Sequence, residues 1–261
     1  MRWESLTIAD FEEAVAQSGG VCILPIGVIE PHGPHLPLST DALVAHRLAC
    51  AAAEIEPALV FPFYPWGDNA ESMRWPGCIR VESRIVLDLL ANVCAEIARN
   101  GCRKIILWNG HGGSNATLVK LFVQSRLGED VDYVPYLVVD LGLDELHAAT
   151  FRTRCGHACE CEMSTMLYLA PDITHPEWIP EEPAEPNPRM DHLVGRVLTP
   201  VWFYGRYPRH YCGDARAATA EKGRLFFEAR TEKLAEIIRL VKEDETAPGL
   251  FREYFDRIYR G

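Results

Sequence analysis

Short apolar runs alternate with amphipathic stretches along most of this chain, and that alternation restricts its fold more than any other feature. Apolar segments of strand length fall at 21–29 (VCILPIGVI), 58–67 (ALVFPFYPWG), 102–110 (CRKIILWNG) and 131–139 (VDYVPYLVV). Between and after them, apolar residues recur at helical spacing over 40–55, 83–101, 114–128 and 219–244, the last a long closing helix. A Thr-Asp pair opens the first of these helices, and Ser83 and Asn100-Gly101 read as cap and stop of the second. Strands joined through helices by short connections build βαβ units. The expected class is therefore α/β, with a mostly parallel central sheet covered by helices on both faces. The Pro-rich stretch 171–188 interrupts the pattern and is expected to be an irregular surface excursion, suited to a lid or an oligomer contact.

Composition narrows the function. The 261 residues carry a formal net charge of -11, which argues against a nucleic-acid backbone or an anionic membrane as partner. A small-molecule substrate remains, including an anionic one drawn by local positive charge. No run approaches the roughly 18 apolar residues of a membrane span, and the first twenty residues lack a signal-peptide pattern. The nine cysteines are odd in number. Cys22, Cys50, Cys94 and Cys102 lie in apolar segments and read as small buried hydrophobes of a reducing compartment, so a cytoplasmic protein is expected. Cys155, Cys159 and Cys161 crowd into CGHACEC and stand apart.

Open α/β sheets bind ligands beyond the carboxyl ends of their strands. Three polar loops should meet there: GVIEPHGPHLPLSTD after the first strand, WNGHGGSN after the third, and CGHACECEMS before a further helix. They carry Glu30, His32, Asp41, His111, His157 and Glu162. Carboxylates and imidazoles in combination suit Zn, Mn or Fe at a hydrolytic centre. Two Glu, one Asp and two His suffice for two divalent ions if one carboxylate bridges, and a water between such ions becomes a hydroxide nucleophile near neutral pH. Cys159-x-Cys161 lacks the paired Cys-x-x-Cys spacing of structural zinc sites.

The wording of these loops says more. LPIGVIEPHGPHLPLSTDALVA, NGHGGSN, GHACECEMS and GDARAATAEKG occur in this order between about residues 20 and 225. Together they resemble the creatininase (creatinine amidohydrolase) family, whose blocks read close to PxGSxEQHGPHLPLxTD, NGHGGN and HAGExETS. The resemblance implies a single layered α/β/α domain over 1–261, assembled as a homohexamer, with two divalent metal ions per chain. It implies Glu30, Asp41 and His111 on one ion and His32, Asp41 and Glu162 on the other, with Asp41 bridging. His157 would serve as proton shuttle or polarise the substrate carbonyl. His35 would support its loop, and Glu160 is the weaker alternative to Glu162.

The implied activity is hydrolysis of a C–N bond in a small cyclic or formyl amide. The family also includes hydrolases that open a cyclic keto-sugar such as an inosose. This chain departs from the pattern in three places. Gly113 stands where creatininase itself has a Glu, Cys159 where HAG has its Gly, and Ser72 where relatives have a His before FPGT. These changes fall on second-contact and pocket positions and leave the substrate open. Two further readings are a metabolite-binding member without catalysis and a cysteine-based metal sensor built on CGHACEC.

Overall fold

The computed structural model describes residues 1–260, so Gly261, the last residue of the expected domain, lies outside the described residues. In chain order the elements are α1 (Ile8–Gln17), β1 (Val21–Ile26), α2 (Thr40–Ile55), β2 (Leu59–Val60), α3 (Ser83–Arg99), β3 (Lys104–Asn109), α4 (Ser114–Ser125), β4 (Val134–Leu137), α5 (Asp144–Thr150), α6 (Glu160–Leu169), α7 (Trp202–Arg206), α8 (Ala220–Glu243) and α9 (Thr246–Arg260). The strands form one sheet in the order β2-β1-β3-β4, and each pairing is parallel. β1 and β3 run side by side over their whole lengths, from Val21 opposite Lys104 to Ile26 opposite Asn109.

Alternate residues of these strands feed two cores. Cys22, Leu24, Ile26, Ile105 and Leu107 pack with α1, α3 and α4 on one face. Val21, Ile23, Ile106 and Trp108 pack with α2 and α8 on the other. The result is the expected α/β/α layering. A third cluster around Leu36, Met163, Met166 and Tyr211 seats α6 beside the strand ends. Among the described residues, no helix is long and apolar enough to cross a membrane.

Several expected boundaries move. Only Leu59–Val60 of segment 58–67 pairs as a strand, because Pro62 and Pro65 remove the N–H groups a ladder needs. Pro135 is accommodated in β4, which lies at the sheet edge. Glu82 rather than Ser83 precedes α3, and the Ser83 hydroxyl donates to Asp68 instead. α8 is followed by α9 and so does not close the chain. Stretch 171–188 forms isolated 3₁₀ turns joined by irregular backbone.

Two close approaches set the geometry at the site end. A Cβ on Gly27 would lie 2.3 Å from Ala42 Cα, so only glycine lets the first turn of α2 press against the end of β1. A Cβ on Gly223 would lie 1.9 Å from Ser164 O, where α8 crosses α6. Gly249 in α9 would meet nothing within 4 Å. Overpacking costs about 1–3 kcal/mol, whereas relief of glycine's backbone freedom in a helix stabilises by about 0.5–1 kcal/mol. Gly223→Ala should therefore lower, and Gly249→Ala raise, the midpoint of thermal unfolding followed by circular dichroism.

Candidate metal centre

The chain leaves β1 through a loop that turns at Gly33, where φ is +61°, and returns to open α2. The N-cap position of α2 is Ser39, so Asp41 is not the cap that a Thr-Asp start suggests. Its carboxylate points instead into the loop cluster, with one oxygen for each of two imidazoles. Asp41 Oδ1 is 3.1 Å from His32 Nε2, and Asp41 Oδ2 accepts from His111 Nδ1 at 2.9 Å. His32 Nδ1–H donates to the Glu30 carbonyl at 3.1 Å, which fixes the ring and turns Nε2 toward Asp41.

Glu30 is 1% exposed, and its two oxygens differ. Oε2 accepts from the Ser72 hydroxyl at 2.5 Å and lies 3.4 Å from His210 Nε2; Ser72 Oγ and His210 Nε2 are 2.9 Å apart. Oε1 has no hydrogen-bond partner, although His111 Nδ1 lies at 3.1 Å, His157 Nδ1 at 3.7 Å and His32 Nε2 at 3.8 Å. A buried carboxylate oxygen ringed by three imidazole nitrogens and bonded to none is placed for a cation.

His111 follows β3. Asn109 Nδ2 donates to its carbonyl at 2.6 Å, and Asn115 Nδ2 donates to Asn109 Oδ1 at 3.2 Å. The far nitrogen of His111, Nε2, faces Glu71 Oε1 at 3.3 Å, and Glu71 is held by Ser114 N at 3.1 Å and Ser114 Oγ at 2.9 Å. A Cβ on Gly113 would lie 2.0 Å from Glu71 Oε1. Glu71, from another segment, thus occupies the space that Gly113 leaves.

Glu162, on the first turn of α6, accepts from Ala158 N at 2.5 Å. Ala158 reaches that position with φ at 58°, a left-handed conformation rare outside glycine. His157 Nε2–H donates to the Pro31 carbonyl at 2.7 Å, leaving Nδ1 free toward the cluster. Three overlapping sets of donor atoms here each lie within 4.8 Å of one another: Glu30, Asp41 and His111; His32, His157 and Glu162; and Glu30, His157 and His210. The three loops converge as expected. His35 Nε2 donates to the Ala158 carbonyl at 2.9 Å and ties two loops together. Glu160 turns away from the cluster, accepting from Thr153 N at 2.8 Å and pairing with Lys222.

The electrostatics follow from this crowding. Burial disfavours the His32 cation, but the Asp41 carboxylate overrides it, with Glu162 and Glu30 adding, and the ring is pushed up to about 10. Burial likewise opposes the charge on His111, which Asp41, Glu30 and Glu71 nonetheless hold well above the usual imidazole range. Burial alone would raise the Asp41 carboxyl, but His32 and His111 draw it below its usual value. Glu162 moves the other way, to about 7, because burial dominates and Asp41 and Glu30 repel its charge. Burial and the neighbouring His32 push His157 down to about 3.

Ser72, Glu71 and His210 are the residues that sequence reasoning leaves out of the site. Only the departure at Ser72 hints at them. A cavity of about 790 Å³ opens over the cluster, lined by Thr199, Trp202, Phe203, Arg206, Tyr207 and His210 among others. Segment 198–212 supplies the aromatic part of its wall, and 171–188 none of its lining.

Known proteins resemble the chain along most of its length. Residues 4–238 match the family model described as creatinine amidohydrolase. The chain is 26% identical to 3-dehydro-scyllo-inosose hydrolase of Thermotoga maritima, with 92% of this chain and 83% of that protein aligned. It is 25% identical to creatinine amidohydrolase of Pseudomonas putida, over 90% of this chain and 94% of that protein. A solved creatininase variant of Zn–Zn type superposes with a TM-score of 0.77 at 23% identity, covering 93% of this chain and 98% of that one. A manganese creatininase also gives 0.77, at 24% identity, with 93% and 99% covered. The chain belongs to the creatininase family of metal-dependent hydrolases.

Proposed function

We propose that this protein hydrolyses a C–N bond of a small cyclic or formyl amide at a centre of two divalent ions, Zn, Mn or Fe. The observation that carries the reading is Asp41, which offers one carboxylate oxygen to each side of the donor cluster. Glu30, Asp41 and His111 hold one ion, and His32, Asp41 and Glu162 the other. The unpartnered Glu30 Oε1 and the purely oxygen and nitrogen donor set fit such ions. Bound there, the ions supply Lewis acidity and a water-derived nucleophile at neutral pH.

The protein's own groups do the rest. Glu71 fixes His111 from behind, and Ser72 and His210 fix Glu30. The aromatic wall at Trp202, Phe203 and Tyr207 limits water around the substrate. His157 is our proton shuttle. Its Nε2–H is committed to Pro31, so Nδ1 takes up the proton as water attacks and returns it to the leaving nitrogen. A homohexamer belongs to the same reading through the family resemblance, and a cytoplasmic location through the free cysteines.

A second reading is hydrolytic opening of a cyclic keto-sugar, favoured by the relative from Thermotoga maritima. Product analysis separates the two. Amine, ammonia or formate released from cyclic and formyl amides supports the first. Ring opening of an inosose alone supports the second. Turnover of neither class by the ion-loaded protein overturns both.

Two predictions concern single groups. His157→Gln should lower kcat/KM by about 10²–10⁴-fold while leaving metal content unchanged, since a shuttle is not a ligand. Loss of an ion in that variant would make His157 a ligand instead. With no ion bound, His32 and His111 keep their protons well above neutral pH, so ions must displace protons. Apparent affinity for divalent ions should therefore rise with pH from 6 toward about 10. Calorimetry at pH 7 in buffers of different ionisation enthalpy should register proton release, and heat independent of the buffer would contradict the pairing.

A further inference from the structure

A second donor cluster of different chemistry lies beside the first. A smaller cavity of about 430 Å³ shares Asp41 and Glu162 with the site described above, and its wall includes His147, Cys155 and Cys161. His147 comes from α5, Cys155 from the loop after it, and Cys161 from the first turn of α6. One donor atom from each lies within 4.8 Å of the other two. Cys155 Sγ is also 3.6 Å from Cys159 Sγ, and all three cysteines are free. Two sulfurs on one tetrahedral zinc, at about 2.3 Å each, stand about 3.8 Å apart.

The imidazole is already oriented. The His147 ring packs against Phe151 at 4.9 Å and Phe226 at 5.4 Å between centroids. Neither of its ring nitrogens has a hydrogen-bond partner among the described residues. Charge also favours a thiolate site. Arg230 lines the same cavity with its guanidinium over Trp108 and Phe226. Two thiolates neutralise a divalent ion, so the loaded centre adds no net charge next to that cation.

We propose that His147, Cys155 and Cys161 form a thiolate–imidazole zinc site, with Cys159 within reach as a further donor. Sulfur and imidazole donors select zinc, whereas the neighbouring carboxylate cluster suits harder ions equally well. Zinc here clamps α5 to the turn of α6 that carries Glu162. The site does not depend on the hydrolytic reading of its neighbour.

Cobalt(II) is the probe, added to the full, reduced, metal-free chain. Wild type and Asp41→Asn should both develop sulfur-to-cobalt charge-transfer absorption in the near ultraviolet. Replacing Cys155, Cys159 and Cys161 together by Ser should abolish it. His147→Ala, which leaves every thiol in place, should weaken cobalt binding about 10–100-fold, and circular dichroism checks that each variant is folded. Absence of the band in wild type, or its survival in the folded variant lacking all three cysteines, overturns the proposal. Loss of the band in Asp41→Asn with the cysteines intact overturns it as well.

Discussion

Buried acids cannot crowd together without opposite charge, and this requirement organises the strand-end face of the protein. Glu30 is sealed from solvent, Asp41 nearly so, and Glu162 lies beside them. His32 and His111 answer the first two with imidazolium charge as long as no ion competes. Glu162 is left as the group that resists ionisation. Such a cluster costs stability unless every charge is matched. Divalent ions would match it more completely than protons do, because they would also satisfy the Glu30 oxygen that faces three imidazoles without a well-formed hydrogen bond.

The fold makes this crowding feasible by bringing backbone unusually close to backbone. Gly27 admits α2 against the end of β1, and Gly110 would place a Cβ 2.8 Å from the Asp41 carbonyl. The first turn of α2, and Asp41 with it, is therefore set by the sheet rather than by a flexible loop. Ala158 and His210 both hold positive φ, at 58° and 53°. One orients an N–H onto Glu162, and the other brings an imidazole onto Ser72 and Glu30. Non-glycine residues in that conformation cost stability, and here both serve the same cluster.

The sheet and its covering helices were legible because their signals are local. Apolar runs gave β1 and β3, and helical spacing gave α2, α3, α4 and α8 within a few residues. The grouping of Glu30, His32, Asp41, His111, His157 and Glu162 was legible because each sits in a loop, or in the first turn of the helix that follows it, at the same end of the sheet. The supporting residues were not. Glu71 and Ser72 lie in a short 3₁₀ turn, and His210 in an aperiodic stretch, so neither periodicity nor spacing marks them. Their partners are distant in sequence: Ser72 meets Glu30 across 42 positions and His210 meets it across 180. The approach of Glu71 to Gly113 is of the same kind, since only the folded chain brings these two segments to one space.

The central claim is that Asp41 bridges two ions. Manganese content per chain tests it most directly, because manganese favours oxygen and nitrogen donors over thiolates. The protein is loaded with Mn(II), freed of excess and measured by plasma mass spectrometry, alongside Asp41→Asn. The account predicts about two ions per wild-type chain, as in two-metal hydrolytic centres, and the loss of most of both in the variant. A wild type that holds one ion or none, or a variant that keeps both, would contradict it.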